Sequence, residues 1–322
     1  FYSGSVSREA RCVFAPRGAQ DLRAAPWDNP QARIDVGSLD PAVAWELVTD
    51  NEASLIRRLR ADCPTLEDVA GRIFQGVITS ADSIFHLTRV GPGKYLRWPG
   101  AGADPVEVEI EDEIMRPLLS GPEANRYERP TTDLHLLFPY RVVDGRVELL
   151  PAEELASRLP RAWRHLSRFE PELRRREGGK FDDPQWYRFG RNQNIDKQHL
   201  PKLCVPQTVP SLRVANDAEG AVCINNVRVN GILTRDPETA WFLLGILNAP
   251  PADFVFRRIS KPKAGGYYEA NKQFIAPLPV PRATTEQKAE VARRAELLQD
   301  LHTRRRDLIA RLDKRLASTQ CE

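Results

Sequence analysis

Residues 186 to 194 concentrate side chains that can read nucleic-acid bases. The segment is Trp-Tyr-Arg-Phe-Gly-Arg-Asn-Gln-Asn. The guanidinium groups of Arg188 and Arg191 can donate paired hydrogen bonds to guanine O6 and N7 or to phosphate. The side-chain amides of Asn192, Gln193 and Asn194 can bond an adenine edge in the same bidentate way. These donors indicate contact with a nucleic acid, and a plain polar surface loop is the alternative.

The segment also contains two aromatic residues suited to stacking and a glycine. Trp186 and Tyr187 offer flat faces on which unpaired bases can stack. Gly190 stands where a backbone must turn or approach another part of the chain closely. The segment alone does not decide between a reading surface and a loop, so other parts of the chain must be considered.

Charge is distributed unevenly along the chain. The 322 residues carry a formal net charge of +3, and 28% of them are charged. Such a small excess does not make a nucleic-acid surface by itself, so the surface must come from local clustering. Residues 161–215 contain 12 Lys or Arg against 6 Asp or Glu, and residues 251–282 contain 6 against 2. We expect a DNA-binding surface to include these two basic stretches.

Small and basic residues in two other segments fit phosphate contacts. The first segment contains Gly76, Thr79 and Ser80, whose N–H groups and hydroxyls we expect at the end of a strand. The second is a flexible basic loop that consists of Lys261, Lys263, Gly265, Gly266 and Tyr267. Such contacts fix the position of a duplex without reading its sequence. A plain β-turn and a solvated loop are the respective alternatives.

Three residues elsewhere combine a stacking ring with a charge. Arg126 and Tyr127 are neighbours and pair a cation with a flat ring. Tyr140 follows Pro139, and it is either a ring for stacking or a core aromatic whose hydroxyl reaches water.

Length, cysteines and hydropathy limit the class of protein. A chain of 322 residues suffices for about two domains. Its five cysteines are odd in number, widely spaced and without a C-x-x-C pair, which indicates a reducing compartment and argues against a disulfide framework or a structural zinc. No apolar run approaches the ~18 residues that span a bilayer, and no signal-peptide pattern opens the chain. We expect a cytoplasmic protein without membrane contact. Because the chain begins with Phe1 and its only methionine is Met115, we also expect a segment before it.

The hydrophobic periods predict an α+β fold. They favour a mixed domain of short, mostly antiparallel strands with flanking helices, followed by a long C-terminal helix. A capped helix start is expected at Thr65, and a short strand follows from Arg72. Further strands are expected at residues 84–90, 94–98, 106–110, 134–138 and 146–150, and again between 202 and 233. Helices are expected at residues 41–62, 153–176, 239–247 and 284–316.

The last predicted helix carries a narrow apolar seam. The seam consists of Leu297, Leu298, Leu301, Leu308, Leu312 and Leu316. A seam of this kind needs a partner surface. Either the helix lies on its own domain, or it pairs through Leu301, Leu308 and Leu312 with another helix of the complete protein or of a second copy.

Five segments in order carry motifs of a known family. They are Leu66–Phe85, Leu118–Tyr127, Leu136–Tyr140, Trp186–Asn194 and the closing block Leu244–Pro281. Together they resemble the TaqI-like C-terminal specificity domain, which is the target-recognition region of adenine-specific DNA methyltransferases and of type IIG restriction-modification enzymes. The resemblance covers roughly residues 65–282.

The resemblance implies a division of the chain and a set of partners. Residues 1–64 would be a connector arm and helix after a missing catalytic domain, residues 65–282 the DNA target-recognition domain, and residues 283–322 the long helix. The partners would be double-stranded DNA and the methyltransferase domain of the same protein, with or without a nuclease domain. No cofactor is expected in this chain, and S-adenosylmethionine is implied for the missing catalytic domain.

The catalytic motifs of a methyltransferase are missing from this sequence. The family holds its extruded adenine with an Asn/Asp-Pro-Pro-aromatic motif. The nearest match runs from Asp183 to Trp186 and has one proline where two are needed. We therefore expect a chain without chemistry of its own, whose complete protein methylates adenine N6.

Two other functions remain open from the sequence. Asp104, Glu107 and Glu109 could hold magnesium for a nuclease, although a solvated alternating strand explains them as well. A protein-binding adaptor of a phage-defence system is the third possibility, with the leucine seam as its contact surface.

Overall fold

The computed structural model describes residues 9–12, 20, 23, 32–35, 50–100, 102–143 and 145–319. Most of the predicted arm, and residues 41–49 of the first predicted helix, lie outside the described residues. The helices are α1 Asp50–Ala61, α2 Leu66–Val69, α3 Asp82–Phe85, α4 Ala152–Arg158, α5 Pro160–Arg168, α6 Glu170–Gly179, α7 Pro237–Leu247, α8 Pro250–Ile259, α9 Lys272–Ile275 and α10 Thr285–Thr319.

Seventeen short strands are found in the described part of the chain. They are β1 Glu9–Cys12, β2 Ala32–Asp35, β3 Arg72–Gln75, β4 His86–Gly91, β5 Lys94–Arg97, β6 Val106–Glu109, β7 Met115–Leu119, β8 Leu134–Leu137, β9 Tyr140–Val143, β10 Arg146–Leu149, β11 Lys202–Pro206, β12 Thr208–Val209, β13 Ala215–Asp217, β14 Cys223–Ile224, β15 Val229–Leu233, β16 Pro262–Lys263 and β17 Tyr267–Glu269.

The strands form three main sheets and two hairpins. The largest sheet has six strands in the order β14-β7-β8-β4-β5-β6, and a second has four in the order β13-β11-β15-β3. The third sheet is β12-β17-β16, and the hairpins are β1-β2 and β9-β10. All pairs are antiparallel except the β14-β7 pair. The predicted α+β class with short antiparallel strands and a long C-terminal helix is confirmed.

Local sequence signals explain several element boundaries. The Thr65 hydroxyl accepts from the N–H of Asp68, whose carboxylate accepts from the N–H of Thr65, and this capping box starts α2. The predicted single helix over residues 153–176 is wrong, because the structure has three helices with breaks at Leu159 and Phe169. A proline follows at or near each break, and proline cannot continue a helix that precedes it.

Two large hydrophobic cores lie beside these sheets. The first core packs α4, α5 and α6 on the six-stranded sheet, and its aromatic members are Phe85, Tyr95, Phe138, Tyr140, Trp186, Tyr187 and Phe189. The second core packs α7 and α8 on the four-stranded sheet, with Leu203, Ile232, Leu244 and Phe256 among its buried residues. A smaller cluster of Phe74, Leu119, Cys204, Ile224 and Val229 lies where the sheets approach each other.

The long helix α10 packs on α7 with only its first half. Gly245 of α7 permits the approach, since a Cβ there would lie 2.7 Å from Cγ1 of Val291. Ala292 and Ala295 are buried on this side. Further along, the seam residues Leu301, Leu308 and Leu312 are 50%, 63% and 56% exposed. The helix therefore lies on its own domain, and its leucine seam faces away from the described part of the chain.

Among the described residues, no single helix combines the length and hydropathy needed to cross a membrane. The pair α7 and α8, bent by 71°, passes that test together by length and composition alone. Both helices contribute buried side chains to the second core.

Candidate nucleic-acid interface

Two segments predicted to contact nucleic acid lie side by side. The N–H of Gly190 donates to the carbonyl of Thr79 at 3.1 Å, and the N–H of Arg191 donates to the carbonyl of Ile78 at 3.2 Å. A Cβ on Gly190 would lie 2.0 Å from Oγ of Ser80, so the position requires glycine. The strand end and the Arg-Asn-Gln loop therefore form one structural unit.

The buried guanidinium of Arg176 holds this unit from the inside. It donates to the carbonyls of Thr79 at 2.7 Å, Trp186 at 2.6 Å and Arg188 at 2.9 Å. Its Cζ lies 4.1 Å from the ring centroid of Phe181. Burial lowers the pKa of Arg176 to about 10, so the group stays charged at neutral pH. Sequence reasoning missed this residue, because nothing in the chain distinguishes it from the adjacent arginines.

The three predicted stacking rings of this region are buried. Trp186 is 4% exposed, Tyr187 2% and Tyr140 8%. The Tyr187 hydroxyl donates to the carbonyl of Leu150 at 2.7 Å, and the Tyr140 hydroxyl accepts from the N–H of Phe189 at 2.7 Å. Burial raises the pKa of Tyr140. The structure thus corrects the prediction of free ring faces. The rings belong to the first core, because their apolar surface packs there and the two tyrosine hydroxyls find partners inside.

Arg126 and Tyr127 also point inward. Nη2 of Arg126 donates to the carbonyl of Leu212 at 2.6 Å. Tyr127 has a left-handed backbone with φ +57°, and its hydroxyl donates to the carbonyl of Gly245 at 3.4 Å. Tyr127 thus attaches its loop to α7 and Arg126 attaches it to the segment between β12 and β13, so the predicted cation and stacking face are used within the fold.

The polar residues at the end of β3 are mostly engaged as well. The Thr79 side chain is buried, and its hydroxyl donates to Asp82 at 2.5 Å. A Cβ on Gly76 would lie 1.9 Å from the carbonyl oxygen of Ile224. Ser80 is exposed with φ +56°, and its hydroxyl donates to Glu177 at 3.0 Å. Of the three predicted phosphate contacts, Ser80 alone presents its side chain to solvent.

The charged and amide side chains of the segment divide into held and exposed groups. Arg188 is held by Asp183 at 2.6 Å and lies over the Phe181 ring. Arg191, Asn192 and Gln193 are exposed, whereas Asn194 donates from Nδ2 to the carbonyl of Gln75 at 3.0 Å. Arg188 and Asn194 thus support the loop, and the three exposed residues present donors to solvent.

A turn that the sequence did not single out connects this loop to the second basic loop. The N–H of Asn226 donates to the carbonyl of Val77 at 3.3 Å, and Gln207 donates from Nε2 to the carbonyl of Asn226 at 2.7 Å. The Gln207 carbonyl in turn accepts from the N–H of Ala270 at 2.9 Å, next to β17. Val227 is 66% exposed, and the adjacent Arg228 is also exposed.

The predicted basic loop is a short exposed hairpin. Lys261, Lys263, Gly265, Gly266 and Tyr267 are all exposed. Both glycines have φ +76°, a conformation that side chains disfavour. Nζ of Lys263 lies 3.3 Å from Glu269. We call the exposed residues of the two loops and the connecting turn the loop face; they are Arg191, Asn192, Gln193, Val227, Arg228, Lys261, Lys263 and Tyr267.

The carboxylates considered for a nuclease lie on strand β6 or just before it, and all three are exposed. Glu107 pairs with Lys94 at 3.3 Å, and Glu109 with Arg161 at 3.8 Å. Asp104 is exposed. Within the ranges that the structure describes, no group of three or more His, Cys, Asp or Glu has the geometry to hold a metal ion.

Comparisons with known proteins give partial matches. No family model matches the chain. Over 175 residues it is 22% identical to the type II methyltransferase M.BstVI of Geobacillus stearothermophilus, a match that covers 54% of this chain and 27% of that protein. Among solved structures, the type IIG restriction endonuclease BpuSI matches 79% of this chain and 29% of its own, with a TM-score of 0.45 and 13% identity. The chain thus spans about a quarter of the curated relative that it matches, and it is similar to part of a type II methyltransferase.

Proposed function

We propose that this chain is the DNA target-recognition region of an adenine-specific methyltransferase or of a type IIG restriction-modification enzyme. The observation that carries the proposal is the continuity of the loop face. Segments around residues 191, 227 and 263 are far apart in sequence, and hydrogen bonds through Val77, Gln207 and Ala270 join them.

The chemistry of the loop face fits recognition of a duplex. Arg191 and Gln193 are the residue types that bond guanine and adenine edges in the major groove. Arg228, Lys261 and Lys263 are suited to phosphates, which give affinity without sequence information. The two positive-φ glycines let the hairpin backbone follow a phosphate chain closely.

Methyl transfer lies outside this chain in the proposed function. The partial match to a type II methyltransferase supports a role related to restriction and modification. The catalytic part of the complete protein would bind S-adenosylmethionine and extrude the target adenine, as enzymes that modify a base do. The loop face would position that part on its site, in a role that serves defence against phage DNA.

A salt titration tests the proposal. We expect the chain to bind duplex DNA at low salt, with log K falling linearly against log salt. The slope should be about −3, since the three cations Arg228, Lys261 and Lys263 at about 0.9 per phosphate give roughly this value. The measurement is fluorescence anisotropy with a labelled duplex. Absence of binding at low salt, or affinity independent of salt, would contradict the proposed function.

Two substitutions should separate phosphate contacts from base contacts. Lys263→Ala should weaken all duplexes alike and make the salt slope less negative by about 1. Gln193→Ala should cost about 1–3 kcal/mol on the preferred duplex and little on a scrambled one. The preferred duplex is first selected from a randomised pool. Lys94→Ala is the matched control, because its Nζ also lies 3.3 Å from a glutamate but on strand β5 of the six-stranded sheet. If Lys263→Ala and Gln193→Ala lose the same affinity for both duplexes, the assignment of Lys263 to phosphates and Gln193 to a base edge is contradicted.

The leucine seam supports a contact with another helix of the complete protein. Leu301, Leu308 and Leu312 lie on the side of α10 away from the described residues. An exposed apolar seam of this length favours a helical partner. The proposal therefore includes such a contact with the catalytic part or with a second copy.

A further inference from the structure

A carboxylate lies on the loop unit where a DNA-binding surface would be expected to carry only cations. Glu177 follows the buried Arg176 and has a left-handed backbone with φ +48°. Its Oε1 and Oε2 accept from Nη1 of Arg191 at 2.6 and 2.8 Å. Oε1 also accepts from the Ser80 hydroxyl at 3.0 Å, and Nζ of Lys180 lies 3.7 Å from Oε2. The carboxylate is thus fixed by three side chains from three segments.

Glu177 contacts only the Nη1 group of the Arg191 guanidinium. Nη1 donates to both carboxylate oxygens and to the carbonyl of Gly190 at 2.8 Å. In the described part of the chain, nothing accepts from Nε or Nη2. The remaining edge is a pair of parallel donors, which is the arrangement that fits O6 and N7 of guanine. The side chain of Arg191 is 44% exposed and that of Glu177 is 29% exposed, so the pair stands at the surface.

The pair behaves differently toward phosphate and toward a base edge. An unpaired arginine is drawn to any phosphate within reach, and this attraction raises the affinity for every sequence. A carboxylate within 3 Å of the guanidinium cancels most of that attraction, because like charges on the carboxylate and the phosphate repel. A neutral base edge suffers no such repulsion. The guanidinium held by Glu177 can therefore gain more from a correctly placed guanine than from a phosphate.

We propose that Glu177 is a specificity-determining residue, which keeps Arg191 from phosphates and orients its free edge toward a base. The inference rests on the proposed function of the chain. Glu177 acts through Arg191 and is a positioning residue. Its removal should strengthen binding to DNA in general while weakening the discrimination between sequences.

The test compares two duplexes at matched salt concentrations. The first is the sequence that the wild-type chain selects from a randomised pool, and the second is a scrambled version. Glu177→Gln should bind the scrambled duplex about five- to tenfold more tightly at about 0.1 M salt, because one more phosphate contact forms. For the same reason, the slope of log K against log salt for this duplex should become more negative by about 0.9. Binding to the selected duplex should change less than twofold, so the ratio between the two affinities should fall about fivefold.

Two further variants control for charge and for mechanism. Glu172→Gln removes an exposed carboxylate five residues earlier in α6 and should leave the ratio unchanged. In the double variant Glu177→Gln/Arg191→Ala, the ratio should equal that of Arg191→Ala alone, because Glu177 acts only through Arg191. Thermal melting of each variant checks that the fold is retained.

The outcomes separate this inference from the proposed function. If Glu177→Gln leaves the ratio unaltered, or if it tightens the scrambled duplex equally in the Arg191→Ala background, the role of Glu177 is overturned while DNA recognition stands. If the wild-type chain binds no duplex at low salt, the proposed function fails and this inference fails with it. If Glu177→Gln lowers the ratio of the two affinities, and the double variant keeps the ratio of Arg191→Ala, the result supports both the role of Glu177 and the proposed function.

Discussion

Arg176→Met is expected to lower the free energy of unfolding by about 3–5 kcal/mol, because several buried backbone carbonyls would lose their charged hydrogen-bond donor. Methionine fills a similar length but donates no hydrogen bond. It would leave the carbonyls of Thr79, Trp186 and Arg188 without their guanidinium donor inside the protein. Each buried acceptor left unpaired costs about 1–3 kcal/mol.

Urea denaturation followed by tryptophan fluorescence measures this change. Trp163 and Trp186 lie 5.5 Å apart in the first core and report on its packing. Arg175→Met is the matched control, because Arg175 is the exposed neighbour and should change the stability by less than about 0.5 kcal/mol. Arg176→Lys should fall between the two, since an ammonium lacks the planar fork that reaches several carbonyls. A loss no larger for Arg176→Met than for Arg175→Met would contradict the role of Arg176.

Gly76→Ala should destabilise the same region by about 3 kcal/mol, at the upper end of what overpacking costs. The added Cβ would lie 1.9 Å from the carbonyl oxygen of Ile224 and 2.6 Å from the carbonyl carbon of Asn225. Both are backbone atoms, so no side chain can move aside. The backbone must shift, and the hydrogen bonds from Val77 to Ile224 and from Asn226 to Val77 should weaken.

Gly76→Ala is also expected to weaken DNA binding. Because the turn at Asn226 joins the two loops, its displacement should weaken the selected duplex at least tenfold, an effect equal to about 1.4 kcal/mol. Gly100→Ala is the control, as a Cβ there would meet no atom within 4 Å. Its stability should be unchanged or slightly increased, by about 0.4–1 kcal/mol. Equal melting temperatures for the two variants would show that the close approach at Gly76 is not needed.

Elements with a strong local pattern could be predicted from the sequence. The strands near residues 95, 107 and 147 alternate apolar and polar side chains, and each lies within one or two residues of its expected position. The capping box at Thr65 and the helix from Thr285 follow from side-chain signals at their first turns. These features depend on neighbours in sequence, so periodicity and capping rules are sufficient.

Features that depend on distant contacts could not be predicted. Strand β7 contains Pro117 and pairs with β14 from a segment about a hundred residues later, so its own sequence does not identify it. An aromatic residue such as Trp186 has the same side chain whether it stacks on a base or fills a core, and tertiary packing alone decides between them. The same holds for Arg176, whose partners come from three segments.

The candidate site was therefore predicted in part. The sequence located the two loops at residues 191–193 and 261–267, because their polar and glycine content is unusual for packed elements. It did not identify the turn at Val227 and Arg228 that joins them, since two exposed residues between strands carry no signal. Nor did it identify Glu177 as the partner of Arg191, because an ion pair 14 residues apart follows from the path of the chain.

The central claim is that the loop face contacts duplex DNA. Hydrogen exchange measured by mass spectrometry, with and without the selected duplex, tests it most directly. We predict slower exchange at residues 190–194, 225–228 and 261–267 in the complex, and unchanged exchange in the β5-β6 hairpin and along the second half of α10. Protection confined to those two elements, with none in the three loop-face segments, would contradict the account.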